Sequence, residues 1–267
     1  MSLPSRSAVV TLAMGQATEK LDHTFLSFAR HNPSLALHAF ILGDALPRQQ
    51  LPEITYHLLR PVADFSVPLR EVYYRRMEVL DALEVDYALT VDCFDVLCFQ
   101  PLPPFEKLLG GADVAACVEH RGSQYILGQG YTSNYLNGGV FLWDVPHSRD
   151  IRADIVGRGR AHFRTVADDQ LCINEVIQTK YFDRLRILPS QYNYRPNLNK
   201  KQRGWPTVNH LDGVVIYHNA FCMDEAKRMV FKSRASLPPI AKDNRPLSPR
   251  EQFWRKVKNR LRPHLAE

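Results

Sequence analysis

Tyr87-Ala88-Leu89-Thr90-Val91-Asp92-Cys93-Phe94-Asp95-Val96-Leu97-Cys98-Phe99 is an apolar run broken by two carboxylates three positions apart. Apolar residues on both sides of the break read as a strand buried on both faces of a largely parallel sheet. A carboxylate in such surroundings is costly unless it is paired, hydrogen-bonded or bound to a metal. Open α/β sheets hold their ligands at the carboxyl ends of the strands. Asp92 and Asp95 together therefore point to a hard divalent cation at that edge. Read alone, they equally allow one surface Asp and one Asp capping a turn.

The segments around this run have the alternation that such a sheet needs. Upstream, residues 70–83 form a helical pattern that leads into the aspartate strand. Earlier still, Ser7–Met14 reads as a strand, and Leu21–His31 as a helix with Leu21, Phe25, Leu26, Phe28 and Ala29 on one face. Asn32-Pro33 ends that helix, and residues 35–42 return as a second strand. A strand–helix–strand opening predicts parallel α/β architecture. Residues 45–68 are Pro-rich, with a strand around 54–59.

Downstream, residues 101–104 break the chain. Phe105–Leu109 is a short helix and residues 112–118 a strand. Residues 119–135 read as loop. Asn137-Gly138-Gly139 precedes a strand over 140–144. Helices are expected over 148–163 and 168–178, and strands at Leu185–Leu188 and 213–218. A loop over 191–195 lies between the last two, and the last strand delivers His218 at its carboxyl end.

Bulk properties narrow the class. A chain of 267 residues, 45% hydrophobic and 23% charged, can bury one large core. No apolar stretch is long enough to span a bilayer, and the N-terminus lacks a signal-peptide core, so a cytoplasmic protein is expected. Cys93, Cys98, Cys117, Cys172 and Cys222 show no zinc-like spacing and read as reduced thiols. The formal charge is +6, but residues 245–267 hold seven Lys/Arg against two Glu, a net of +5. The remainder is nearly neutral, which argues against a nucleic-acid-binding face.

Asp92/Asp95, Asn137-Gly138-Gly139, Asp169-Gln170 and His218, in that order and each at an element end, resemble the glycogenin-like glycosyltransferases with a GT-A fold. The resemblance runs from about Ala8 to about Phe221. The family carries Asp-x-Asp. The wider spacing here is similar to that of the glycosyltransferase domains of collagen lysyl hydroxylases, as is the Asp168-Asp169-Gln170 run.

The resemblance implies a nucleotide-sugar donor, UDP-linked, and Mn²⁺ or Mg²⁺ held by Asp92, Asp95 and His218. Carboxylate oxygens suit either ion, and an imidazole ligand favours Mn²⁺. Arg76 stands where the family has a Lys that contacts the donor. Asn137, Gly138 and Gly139 would let backbone approach the sugar. Asp169 and Gln170 would contact the transferred sugar. Thr11 and Ala13 fall where the family binds the nucleotide base. The family's phosphate-binding Lys, six positions past the metal His, is Asp224 here, and the nearest Lys is Lys227.

Bland readings accompany each of these residues. His218 could be a satisfied core histidine, Arg76 part of a solvated helix face, Asn137-Gly138-Gly139 a turn, and Asp169 a helix N-cap.

The expected organisation is a GT-A catalytic domain over 1–240, then a linker and basic C-terminal helix over 241–267. Ser248-Pro249-Arg250-Glu251 is a capping box with Pro at the first helical position. Phe253, Trp254, Val257 and Leu261 would share one face, surrounded by basic residues. That pattern suits the anionic inner face of a membrane, or else a helix docked on the domain.

The function implied is retaining sugar transfer to a glycan, lipid-linked or protein acceptor, as in cell-surface glycan or lipopolysaccharide synthesis. The alternatives are a catalytically silent GT-A scaffold and a nucleotidyltransferase. The latter usually requires a Gly-rich phosphate loop, which Gly15 alone does not supply.

Overall fold

A seven-stranded mixed sheet forms the middle layer in a computed structural model. The structure describes residues 6–14, 21–60, 74–93, 95–119, 124–126, 130–161, 169–195 and 213–218. In chain order the elements are β1 (Ser7–Met14), α1 (Leu21–His31), β2 (Ala36–Leu42), β3 (Thr55–Leu59), α2 (described over 74–78), β4 (Tyr87–Val91) and β5 (Val96–Cys98). Then follow α3 (Phe105–Leu109), β6 (Val114–Val118), β7 (Gln124–Ile126), β8 (Gly130–Thr132), β9 (Leu136–Asp144), α4 (Arg149–Ala161), α5 (Asp169–Lys180), β10 (Leu185–Leu188) and β11 (Ile216–His218).

The main sheet has the order β10-β6-β9-β4-β1-β2-β3. Its pairs are parallel except those of β9, which runs antiparallel to both β4 and β6. Each face carries its own core. On β1, Ala8, Val10 and Leu12 join Tyr74, Met77, Ile151, Ile155, Ile173 and Ile177, contributed by α2, α4 and α5. Val9 and Ala13 point the other way, into a core with Phe25 and Phe28 of α1 and Leu108 of α3. Period-two alternation with both faces apolar is what a central strand requires. Full burial of one such Phe side chain contributes roughly 1.5–3 kcal/mol.

Polar groups within the sheet are satisfied. Trp143 Nε1 donates to Thr90 Oγ1 at 3.0 Å, and Thr90 Oγ1 donates to Phe141 O at 3.2 Å.

The structure corrects four sequence expectations. The run from Tyr87 to Phe99 is not one strand. β4 ends at Val91, the chain turns through the aspartates, and β5 leaves the main sheet to pair antiparallel with β11. Apolarity on both sides of the break reflects burial in two sheets. Asn137, Gly138 and Gly139 lie inside β9 rather than in a turn before it. The stretch expected as loop contains the antiparallel pair β7–β8. The helix leading into β4 tightens into a 3₁₀ turn at Val79–Ala82. The domain boundary at 240/241 and the tail helix lie outside the described residues.

Candidate active site

Two strand registers bring the site together. Val91 of β4 pairs with Val140 of β9, so Asp92, just past the end of β4, meets Gly139, and Asp92 N donates to Gly139 O at 2.9 Å. Across the small sheet His218 pairs with Val96, one residue after Asp95. His218 Nε2 lies 3.5 Å from Asp92 Oδ2 and 3.5 Å from Asp95 Oδ2. One ligand atom from each of Asp92, Asp95 and His218 can be chosen so that all lie within 4.8 Å of one another.

The triad fits a divalent cation. The Asp95 carboxyl is buried, and its Oδ1 has no hydrogen-bond partner among the described residues. A buried carboxylate oxygen in that state calls for a cation. Two carboxylates and one imidazole are a donor set suited to Mn²⁺ or Mg²⁺.

Charge in the site is coupled. Burial alone would lower the His218 pKa, but Asp92 and Asp95 outweigh it and raise it to about 9. Burial alone would raise that of Asp92. The His218 and Arg76 contacts prevail and hold it well below the usual carboxylate range. The Asp92 side chain remains 37% exposed, so water partly screens these pairs. Cys93 beside them is pushed up to about 12 by burial and by the two aspartates, which leaves it a protonated thiol.

Arg76 of α2 ties the Asp92–Asp95–His218 group to the start of α5. Its Nη1 donates to Asp92 Oδ1 at 2.8 Å. Its Nη2 donates to Gly138 O at 2.6 Å and to Asp169 Oδ2. Arg76 and Asp169 are both buried, so this is an interior ion pair and not the solvated helix face that the sequence allowed. Gln170 follows on α5 and accepts from Gly138 N through Oε1 at 2.8 Å.

The two glycines differ in what they permit. A Cβ on Gly139 would come within 2.2 Å of His218 Cε1 and 2.6 Å of Asp92 Oδ2. On Gly138 it would meet Gln170 Cβ at 3.2 Å. Only at Gly139 does the close approach forbid a side chain outright.

The structure thus joins Arg76, Asp92, Asp95, Asn137, Gly138, Gly139, Asp169, Gln170 and His218 at one edge of the sheet. Thr11 touches this group only indirectly, its buried hydroxyl donating to Val91 O at 2.8 Å. Ala13 is fully buried in the core on the α1 side. Asp168, Asp224 and Lys227 lie outside the described residues.

Sequence reasoning passed over Glu119 and Asn193. Glu119 Oε2 accepts from Asn137 Nδ2 at 3.0 Å and from Gln170 Nε2 at 2.6 Å, while Arg195 Nη1 donates to Oε1 at 2.7 Å. Its signal was legible: a carboxylate directly after an apolar strand, as with Asp92. Asn193 ends a 3₁₀ turn over Ser190–Asn193, within the stretch read as loop before β11, and had no such signal.

No family model and no curated protein sequence matches the chain. Solved structures do. The chain is similar to the galactosyltransferase LgtC in complex with donor and acceptor sugar analogues, at 17% identity over 86% of this chain and 97% of that one, with a TM-score of 0.62. It is likewise similar to an active-site Gln-to-Glu mutant of LgtC, at 16% identity over the same shares and a TM-score of 0.58. At this identity the likeness is one of architecture. The protein has a GT-A fold, with a mostly parallel central sheet flanked by helices. Among the described residues, no helix is long and apolar enough to cross a membrane.

Proposed function

We propose that the protein is a divalent-metal-dependent glycosyltransferase that moves a sugar from a nucleoside diphosphate sugar, a UDP-sugar first of all, to an acceptor hydroxyl with retention of configuration. The observation that carries this reading is the meeting of Asp92, Asp95 and His218 with the Arg76–Asp169 pair at one strand edge of a GT-A fold.

Asp92, Asp95 and His218 would hold Mn²⁺ or Mg²⁺, with the imidazole favouring Mn²⁺. The bound ion would supply Lewis-acid stabilisation of the diphosphate leaving group. Arg76, whose planar fork bonds Asp92, Gly138 O and Asp169 in this structure, would share those donors with that phosphate or a sugar hydroxyl when the donor binds, which a Lys could not reproduce. Asp169 and Gln170 are assigned to the transferred sugar, with Asn137, Gly138 and Gly139 giving it a close backbone wall. Thr11 and Ala13 are assigned to the side of the nucleotide base.

The chain offers no assigned nucleophile. The acceptor hydroxyl attacks from the face on which the diphosphate departs, through an oxocarbenium-like state. The departing phosphate oxygen takes the acceptor proton. Positioning and water exclusion then carry most of the rate.

A glycan, a lipid-linked saccharide or a protein can supply the acceptor hydroxyl, and cell-surface glycan or lipopolysaccharide synthesis is the setting that suits this reading. The basic tail read from the sequence suits peripheral placement at the inner face of a membrane.

The test is a thermal-shift panel of nucleotide sugars with and without Mn²⁺, followed by product analysis with the best donor. A ligand that binds only the native state raises the melting temperature with occupancy. The reading predicts a rise with a UDP-sugar only when Mn²⁺ is present. Stabilisation by nucleoside triphosphates in preference to nucleotide sugars would favour a nucleotidyltransferase instead. Stabilisation by a UDP-sugar without turnover on any acceptor or water would favour a silent scaffold.

A further inference from the structure

The orientation of the His218 ring is set by a chain of hydrogen bonds in which each amide can face only one way. Gly139 N donates to Asn137 Oδ1 at 3.0 Å. A backbone N–H can only donate, so the Asn137 atom facing it must be the oxygen. Asn137 Nδ2 then points to the Glu119 carboxylate at 3.0 Å, which can only accept. Asn193 meets the same Asn137 Oδ1 at 2.8 Å, so its facing atom must be Nδ2. That leaves Asn193 Oδ1 against His218 Nδ1 at 2.9 Å. An oxygen with no proton of its own requires Nδ1 to carry one. Asn and Gln flips and His tautomers are normally ambiguous. Here a backbone N–H at one end and a carboxylate at the other remove the choice.

Asn193 itself is firmly held. It is buried, and the backbone beside it is tied to β11, with Tyr194 N donating to Ile216 O at 2.8 Å and His218 N donating to Tyr194 O at 2.9 Å. The ring and its orienting amide are therefore anchored through the same backbone pairing.

We propose that Asn193 is a positioning residue for the metal-site histidine: it holds His218 as the Nδ1–H tautomer and so leaves the Nε2 lone pair facing Asp92 and Asp95, with Asn137 and Glu119 fixing the direction of the Asn193 amide. Metal-bound histidines generally donate their second ring N–H to a fixed acceptor, and loss of that acceptor typically costs 10–100-fold in metal affinity. The consequence for metal affinity rests on the metal reading of the triad. The tautomer does not.

The experiment uses full-length protein with ¹⁵N-labelled histidine, the His218 signals being assigned by their loss in His218→Gln. Ring nitrogen shifts are followed without metal from about pH 7 to about pH 10, and Mn²⁺ affinity is measured by titration calorimetry. Wherever the ring of the native protein is neutral, its proton sits on Nδ1. Asn193→Leu, which cannot accept, shifts the neutral ring towards Nε2–H and weakens Mn²⁺ binding about 10–100-fold. Asn193→Asp still accepts from Nδ1 but loses the donor to Asn137 Oδ1; where it folds with the native melting temperature, it keeps the Nδ1–H form and binds Mn²⁺ within about tenfold of the native protein. Retention of Nδ1–H in Asn193→Leu, or its loss in Asn193→Asp, overturns the proposal. If Asn193→Leu does not fold, Asn193→Ala, which also cannot accept, is read by the same shifts with the same two outcomes. If the native protein ignores Mn²⁺, the metal reading fails, and the metal-free shifts still decide the role of Asn193.

Discussion

Arg76 Nη1 lies 2.8 Å from Asp92 Oδ1, so the residue assigned to the donor phosphate already grips one of the carboxylates assigned to the metal. The same guanidinium holds Asp169 at the start of α5. In the metal-free protein Arg76 therefore balances the negative charge of both halves of the site.

Removing that guanidinium leaves Asp169 buried without its cation. Breaking a buried pair by deleting one partner costs about 3–5 kcal/mol. Arg76→Ala should lower the melting temperature clearly and abolish donor binding. Arg76→Lys keeps the charge but cannot reach Asp92, Gly138 and Asp169 together. It should fold normally and lose about tenfold or more in kcat, since an Arg fork is not replaceable at a multidentate site. Thermal melts and steady-state kinetics separate the two effects.

The site should respond to pH through His218. Its folded pKa of about 9 lies above the ordinary value of 6.5. Between those values the native state binds more protons than the unfolded state, so stability falls as pH rises. The contribution of the charged imidazole is complete below about pH 6.5 and is lost through about pH 9. Metal binding runs the other way, because ligation needs a deprotonated Nε2. Apparent Mn²⁺ affinity should rise from pH 6.5 to 8.5, with about one proton released per ion. Calorimetry in buffers of different ionisation enthalpy measures that proton directly.

Gly139→Ala should damage the site more than Gly138→Ala. A methyl at Gly139 overlaps the His218 ring and the Asp92 carboxylate, neither of which can retreat without disturbing the triad. Overpacking of this kind costs about 1–3 kcal/mol, and Mn²⁺-dependent donor binding should disappear. At Gly138 the neighbour is the Gln170 side chain, which can yield by a few tenths of an ångström. Comparing donor affinity in the two variants checks the contrast.

Most of the framework was legible because it rests on local pattern. β1 and α1 have the bounds expected from their apolar spacing, and β10 ends at Pro189 as read. What could not be read was partnership. Val96-Leu97-Cys98 is equally apolar whether it continues β4 or pairs with β11. Strand direction leaves no trace in periodicity, so the antiparallel β9, and with it the contact between Gly139 and Asp92, was hidden. The ordered set of Asp92, Asp95, Asp169, Gln170 and His218 stood out because each polar residue follows or opens an element. Asn193 did not, because its role exists only once β11 has brought His218 beside it.

The sequence also predicts a function for the tail, which lies outside the described residues. Residues 245–267 carry +5 of the chain's +6. Each basic residue near an anionic surface contributes about 1 kcal/mol, enough for reversible attachment. Deleting 248–267 should abolish co-sedimentation with phosphatidylserine-containing vesicles and leave donor hydrolysis in solution nearly unchanged. Indifference of the intact protein to such vesicles at low salt would mean that the segment belongs to the domain.

The proposed mechanism stands on Asp92, Asp95 and His218 binding a divalent ion that a nucleotide-sugar donor needs. Asp95→Ala tests it most directly, because Asp95 contributes a buried carboxylate with a free oxygen and makes no contact with the Arg76 clamp among those described. UDP binding would be titrated into native and variant protein with Mn²⁺ and again with excess chelator. Native protein should bind UDP only with Mn²⁺, and folded Asp95→Ala should neither bind it nor transfer sugar. Equal binding and transfer by the variant, or by native protein in chelator, would contradict the proposed mechanism.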